Sequence, residues 1–99
     1  MAEVERLVHM DAFEWNGFYM PPEGLDALKR YVFEGIPTGG FLRAVLENNL
    51  EAAVSRADEY NLRNIPVYVF VLFNYCPMTC WGSKEMVDSW IKHRGLKGE

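Results

Sequence analysis

The sequence predicts a mainly α-helical domain, a compact bundle of about four helices with a short β-hairpin near the N-terminus. Three observations predict it. Apolar residues recur at three- and four-residue spacing over most of the chain beyond residue 21. Prolines and glycines stand where helices should begin and end, as with Pro22 and Gly35. Asn16-Gly17 lies between two short aromatic segments, a strong local hairpin signal. At 99 residues the chain makes one domain, 1–99, and its 49% hydrophobic content supplies a core and argues against disorder.

Residues 1–20 read poorly as a helix and are expected to be extended. In the hairpin, Phe13-Glu14-Trp15 faces Phe18-Tyr19-Met20 across Asn16-Gly17, because a type I′ turn needs positive φ at both central positions. That register sets Trp15 opposite Phe18 and Phe13 opposite Met20. Pro21-Pro22 ends the ladder, since proline has no amide proton. A helix follows from about Pro22 to Glu34, with Leu25, Leu28, Tyr31 and Val32 as its buried stripe. Gly35 supplies a left-handed stop and Pro37 forbids continuation.

Thr38-Gly39-Gly40 opens a second helix, from about Gly40 to Tyr60. Leu42, Leu46, Leu50, Ala53, Ala57 and Tyr60 share one side at about 100° per residue, with Glu47, Glu51 and Asp58 together on the other. Asn48-Asn49 favours a break, since asparagine prefers caps to helix interiors. The uninterrupted phase on both sides favours one continuous helix with at most a kink.

Residues Ile65 to Tyr75 are the most ambiguous. Their β-branched and aromatic content votes for a strand, which would pair with the hairpin. The eleven-residue length, and Asn64 with Pro66 as a start signal, favour a helix buried on all sides. A final helix begins after Ser83, with Met86, Val87, Trp90 and Ile91 as its apolar face and Asp88 paired with Lys92. His93 and Arg94 suit its negative end, Gly95 terminates it, and the tail Leu96 to Glu99 is expected to fray.

Composition narrows the function classes. A net charge of −4 disfavours direct nucleic-acid binding, which needs surplus Lys and Arg, and suits a basic protein partner or plain solubility. No apolar run reaches the roughly 20 residues that cross a bilayer, and the start lacks a signal-peptide pattern. The expected location is the cytoplasm, with Cys76 and Cys80 as free thiols.

Catalytic and metal motifs find little support. Cys76 and Cys80 are one residue too far apart for a redox Cys-x-x-Cys, and zinc usually wants four ligands in two close pairs, whereas His9 and His93 are each isolated. Cys80 with His93 is the one nucleophile–base pair on offer, and nothing beside either residue marks it. Gly39-Gly40 before a helix lacks the Lys-Ser/Thr continuation of a phosphate loop. No enzyme, cofactor or metal site is expected.

Two surfaces are better candidates for binding. The first is an acidic ridge of Glu47, Glu51 and Asp58, with Glu59 to one side, which would stand in for phosphates and occupy the Lys or Arg of a partner; its plain alternative is a solvated helix face. The second is the aromatic set Trp15, Phe18, Tyr19 and Met20, either interface anchors or a hairpin folded flat over the core. Trp81 reads as a core plug.

The stretches Gly35-Ile36-Pro37-Thr38-Gly39-Gly40-Phe41-Leu42, Ala44-Val45-Leu46-Glu47-Asn48-Asn49-Leu50 and Arg56-Ala57-Asp58 with Asn61, then Tyr75, Pro77, Cys80-Trp81-Gly82-Ser83, Val87 and Trp90, resemble small proteins encoded by bacteriophages and prophages. The resemblance spans about sixty residues and leaves out the first twenty. Those proteins have an Asp at the position of Asn49, so this chain departs there and its acidic face is one charge lighter. The resemblance implies a phage origin and, by analogy of class, an inhibitor that binds a host defence protein in the bacterial cytoplasm. Anti-CRISPR proteins, which occupy a nucleic-acid-binding surface of an effector subunit, are the type it suggests. The alternative is a structural or regulatory phage module, a homo-oligomer that joins other phage proteins; a homodimer is compatible with the inhibitor.

Overall fold

The fold is organised around one 13-residue helix, Pro22–Glu34 (α2), whose C-terminal end meets the C-terminal end of the chain. The structure, a computed structural model, describes residues 2–98. In chain order the described elements are α1 (Ala2–Val8), β1 (Phe13–Trp15), β2 (Phe18–Met20), α2, α3 (Gly40–Leu46), α4 (Leu50–Arg56), α5 (Glu59–Arg63), α6 (Ile65–Tyr75) and α7 (Lys84–Lys92). Short 3-10 turns cover Met78–Cys80 and Gly95–Gly98. The protein is thus mainly helical with one two-stranded antiparallel hairpin, the fold class the sequence predicts.

The hairpin has the expected register, with Trp15 opposite Phe18 and Phe13 opposite Met20, and Asn16 and Gly17 both have positive φ. It lies flat on the core rather than projecting. Trp15 stacks on Phe70 of α6 at 4.3 Å between ring centroids, Phe13 stacks on the same ring at 5.9 Å, and Met20 is fully buried. The buried Asn64, between α5 and α6, fastens it: the Tyr19 N–H donates to Asn64 Oδ1 at 2.8 Å, and Asn64 Nδ2 donates to the Tyr60 carbonyl at 2.9 Å.

Helix α2 has the bounds and the buried stripe that its periodicity predicts, and Gly35 takes the left-handed stop at φ 70. The first correction concerns α1. Residues 2–8 are helical although the sequence there reads as extended, because a seven-residue helix has almost no intrinsic stability to betray it. Tertiary contacts stabilise it instead: Val4 and Leu7 are buried, and Lys29 of α2 donates its ammonium to the Val8 carbonyl at 3.2 Å and to that of Met10.

The second correction concerns residues 40–60, which form three short helices. Asn48 adopts φ 60 and ends α3, with the Asn49 N–H donating to the Ala44 carbonyl at 2.9 Å. Asn49 then caps α4 by accepting from the Ala52 N–H at 3.1 Å, and Asp58 caps α5 by accepting from the Asn61 N–H at 2.7 Å. Capping by Asn and Asp prevails over the apolar phase. The phase restarts after each break, so Leu42, Leu46 and Ala53 are buried whereas Leu50 and Tyr60 are exposed.

The segment from Ile65 to Tyr75 is a helix, but only its Val67, Tyr68, Val71 and Leu72 side is buried; Val69 and Phe73 face outward. In α7, Ser83 caps as expected, by accepting from the Met86 N–H, and Asp88 pairs with Lys84 and Arg43 in place of Lys92. The tail does not fray as far as Gly98, because Gly95–Gly98 forms a 3-10 turn and Leu96 packs against the core. Glu99 lies outside the described residues.

Gly35 and Gly95 cross backbone to backbone. A Cβ on Gly95 would stand 2.7 Å from both the Gly35 nitrogen and the Val32 carbonyl oxygen, and φ is 65 there. Gly95→Ala should therefore cost more than the ~1–2 kcal/mol of left-handed strain alone. Gly17→Ala, at φ 85 with no atom within 4 Å of its Cβ, isolates that strain. Denaturant unfolding of the two variants should rank Gly95→Ala as clearly the less stable; equal losses would mean the crossing tolerates a methyl group.

Candidate binding site

The predicted acidic ridge is not a single surface. Glu47 ends α3, Glu51 lies in the first turn of α4, Asp58 caps α5 and Glu59 begins it. Glu47 is only 13% exposed and accepts from Arg43 Nε at 2.8 Å; Arg43 also bonds Asp88, which in turn accepts from Lys84 Nζ at 2.8 Å. That chain of ion pairs ties α3 to α7. Glu59 pairs with Arg63 at 2.6 Å on the surface. Glu51 stands exposed by itself, and Asp58 is the one ridge residue that faces a cleft.

The cleft, of ≈ 400 Å³, lies between the first turn of α2, the start of α3 and the α5–α6 junction. Its lining brings together Glu23, Asp58, Tyr60, Asn61, Phe41 and Tyr68, with the backbone of Gly24, Gly39 and Gly40. Tyr68 rises from α6 beneath α2, its ring edge-on to Phe41 at 5.3 Å and its hydroxyl 3.4 Å from Asn61 Oδ1. Gly24 makes that position available, since a Cβ there would stand 2.5 Å from the Tyr68 hydroxyl oxygen. Arg56 runs its aliphatic stem past Gly40 at the rim.

The ionisable groups that line the cleft are carboxylates and phenols, with the cationic Arg56 at its rim. Burial pushes the Tyr68 hydroxyl up to about 12, aided by Tyr60, Asp58 and Glu23. The Tyr60 hydroxyl is also held above its ordinary value, by desolvation first and then by Tyr19 and Glu23. Both phenols therefore stay neutral near pH 7. Two carboxylates beside aromatic faces attract a cation, through charge-assisted hydrogen bonds and ring quadrupoles.

Of the residues predicted to bind, the structure brings Asp58 and Tyr19 to this region, since Tyr19 is half-exposed and acts on Tyr60. Trp15 and Phe18 are partly buried against the core and stack on each other at 6.4 Å. Glu23, Tyr60 and Tyr68 are not among the residues the sequence singles out for binding: Glu23 sits in the first turn of α2, where an acidic residue suits the helix dipole, and the periodicity puts both tyrosines in the core. The available signal was Gly24, a glycine inside a helix that costs ~1 kcal/mol unless something needs the space.

Cys76 and Cys80 are unbridged and buried. The neighbouring Cys80, then desolvation, pushes the Cys76 thiol far up, which keeps it protonated. His93 Nδ1 lies 2.8 Å from the Ser89 carbonyl of its own helix, on the surface, and Cys80 is fully buried. Among the described residues no group of three or more His, Cys, Asp or Glu converges as a metal site, and no helix is long and apolar enough to cross a membrane.

The reassignment of Glu47 to a structural pair has a pH consequence through Asp88. Hydrogen bonds from Lys84 first, then Arg43, hold the Asp88 carboxyl below its ordinary range. A depressed carboxylate stabilises the fold above its unfolded-state value, and that contribution is lost as pH falls through the folded-state value. The melting temperature of wild type should exceed that of Asp88→Asn at pH 7, and the gap should close on acidification. A gap unchanged down to the lowest pH at which both fold would show that the α3–α7 ion pairs contribute nothing. No described protein family matches the chain, and no curated protein or solved structure does.

Proposed function

We propose that this chain is a phage-encoded, non-enzymatic inhibitor that acts in the bacterial cytoplasm by binding a host defence protein, of the anti-CRISPR kind. Its contact is a basic side chain of that protein, drawn into the cleft of Glu23, Asp58, Tyr60 and Tyr68. The observation that carries this reading is the convergence of two carboxylates and two neutral phenols in one groove. A nucleic-acid-binding surface presents Lys and Arg to phosphates, so a carboxylate groove of this size competes for those same side chains. The resemblance to phage and prophage proteins supplies the host context. Asp58 and Tyr19 remain partner-binding residues in this reading, joined by Glu23, Tyr60 and Tyr68; Glu47, Glu51, Glu59, Trp15 and Phe18 leave the interface.

A second reading, a structural or regulatory phage module, is favoured by an exposed apolar face on α4 and α6. A large closed or open assembly of the chain in solution would favour it, whereas a monomer or dimer keeps the inhibitor reading ahead.

The test uses charge-neutral isosteres. Asp58→Asn keeps the oxygen that caps α5 and Glu23→Gln keeps the side-chain length, so the double variant should fold as wild type by circular dichroism. Against a partner captured from host lysate and then purified, the double variant should bind at least about tenfold more weakly, with reduced salt dependence. Glu51→Gln, outside the cleft, should bind as wild type. Equal affinity of the double variant and wild type would remove the cleft from the interface.

A further inference from the structure

Leu50 and Val54 of α4, with Pro66, Val69 and Phe73 of α6, form an apolar face that none of the described residues covers. On α6 the last three fall within about 60° of one another, on the side away from Val67, Val71 and Leu72. Leu50, Ala53, Ile65 and Val69 line one shallow groove between α4 and α6, which makes the two halves of the face contiguous. Phe73 is 73% exposed, Leu50 68%, Val54 45% and Val69 43%. Single exposed apolar residues are ordinary, but a joined set of five marks an interaction surface.

We propose that this face is the isologous interface with a second copy of the chain, an antiparallel packing of α6 on α6. Three observations select that occupant. The eleven residues of α6 carry no charge of either sign, so copies with net charge −4 meet there without facing like charges. A stripe along a straight helix is self-complementary about a two-fold axis near its middle, where Phe73 of one copy packs on Val69 of the other. The area also fits: at about 150–200 Å² for a whole apolar side chain, the face exposes roughly 450 Å². That is the apolar share of the ~800 Å² per partner that a stable dimer buries. The cleft takes from α6 only Tyr68, on the buried side of that helix, so a dimer presents two clefts.

Light scattering and sedimentation of the full chain, from about 1 μM to about 1 mM, test this. The mass should rise from 11.5 kDa to twice that value and stop there. Phe73→Glu and Val69→Glu, both at exposed positions, should keep wild-type circular dichroism and move the midpoint at least about tenfold higher in concentration. A wild-type chain that stays monomeric throughout overturns the proposal, as does a dimer that both variants leave intact, or growth beyond two copies. Glu23→Gln with Asp58→Asn should leave the mass unchanged, so that loss of host-protein binding in that variant counts for or against the cleft alone.

Discussion

The crossing of Gly35 and Gly95 carries more of this fold than any single apolar contact. Gly35 ends α2 in the left-handed region. Gly95, also left-handed, follows the left-handed Arg94 and opens the last 3-10 turn in place of the helix stop expected of it. Each glycine has the other's backbone where a Cβ would stand. The approach lets the Trp90 indole N–H reach two carbonyls at the end of α2, those of Tyr31 at 3.0 Å and Val32 at 3.2 Å. The Tyr31 carbonyl also accepts from the Gly35 N–H at 2.9 Å; the Val32 carbonyl is one of the last of the helix, and burying such a group unpaired costs about 1–3 kcal/mol. Tyr31 continues the link by donating its hydroxyl to the Cys80 carbonyl at 2.6 Å, and burial keeps that phenol protonated. The end of α2, the cysteine turn and α7 are thereby fixed to one another through main-chain oxygens as well as by packing.

From that anchor, the remaining architecture is decided by where the backbone between residues 40 and 64 stops being helical. A continuous helix would have put Leu50, Ala53 and Tyr60 inside and three carboxylates outside on one line. The left-handed Asn48 and the two caps that follow turn each short helix afresh. Asp58 swings toward the first turn of α2, Glu47 turns inward to Arg43, and Leu50 is left in solvent. The same breaks that dissolve the ridge therefore create both the cleft and the apolar face.

Legibility in the sequence followed the range of the interaction that sets each feature. The Asn16-Gly17 hairpin and the helix from Pro22 to Glu34 were readable to the residue, because turn chemistry, caps and periodicity all act within a few positions and agree. The helix from Ile65 to Tyr75 was readable against its β-propensity because length and a proline start outweighed residue type. Its exposed side was not, since which face is covered depends on the distant hairpin and on α4. Residues 2–8 were illegible because their helix depends on Lys29 and on a core twenty or more residues away. Between 40 and 60 both signals were present, Asn-Asn for a break and apolar phase for continuity, and local capping is the stronger where an asparagine can enter the left-handed region cheaply.

Gly24 shows how the site itself was written without being readable. A glycine in the first turn of a 13-residue helix weakens that helix, and α2 offers no local compensation. The compensation comes from Tyr68, forty-four positions later, whose hydroxyl occupies the space a methyl group would fill. An alanine at 24 would favour α2 as an isolated helix while displacing the phenol that floors the cleft. The local loss at position 24 is the condition for seating that phenol between Glu23 of α2 and Asp58 at the start of α5.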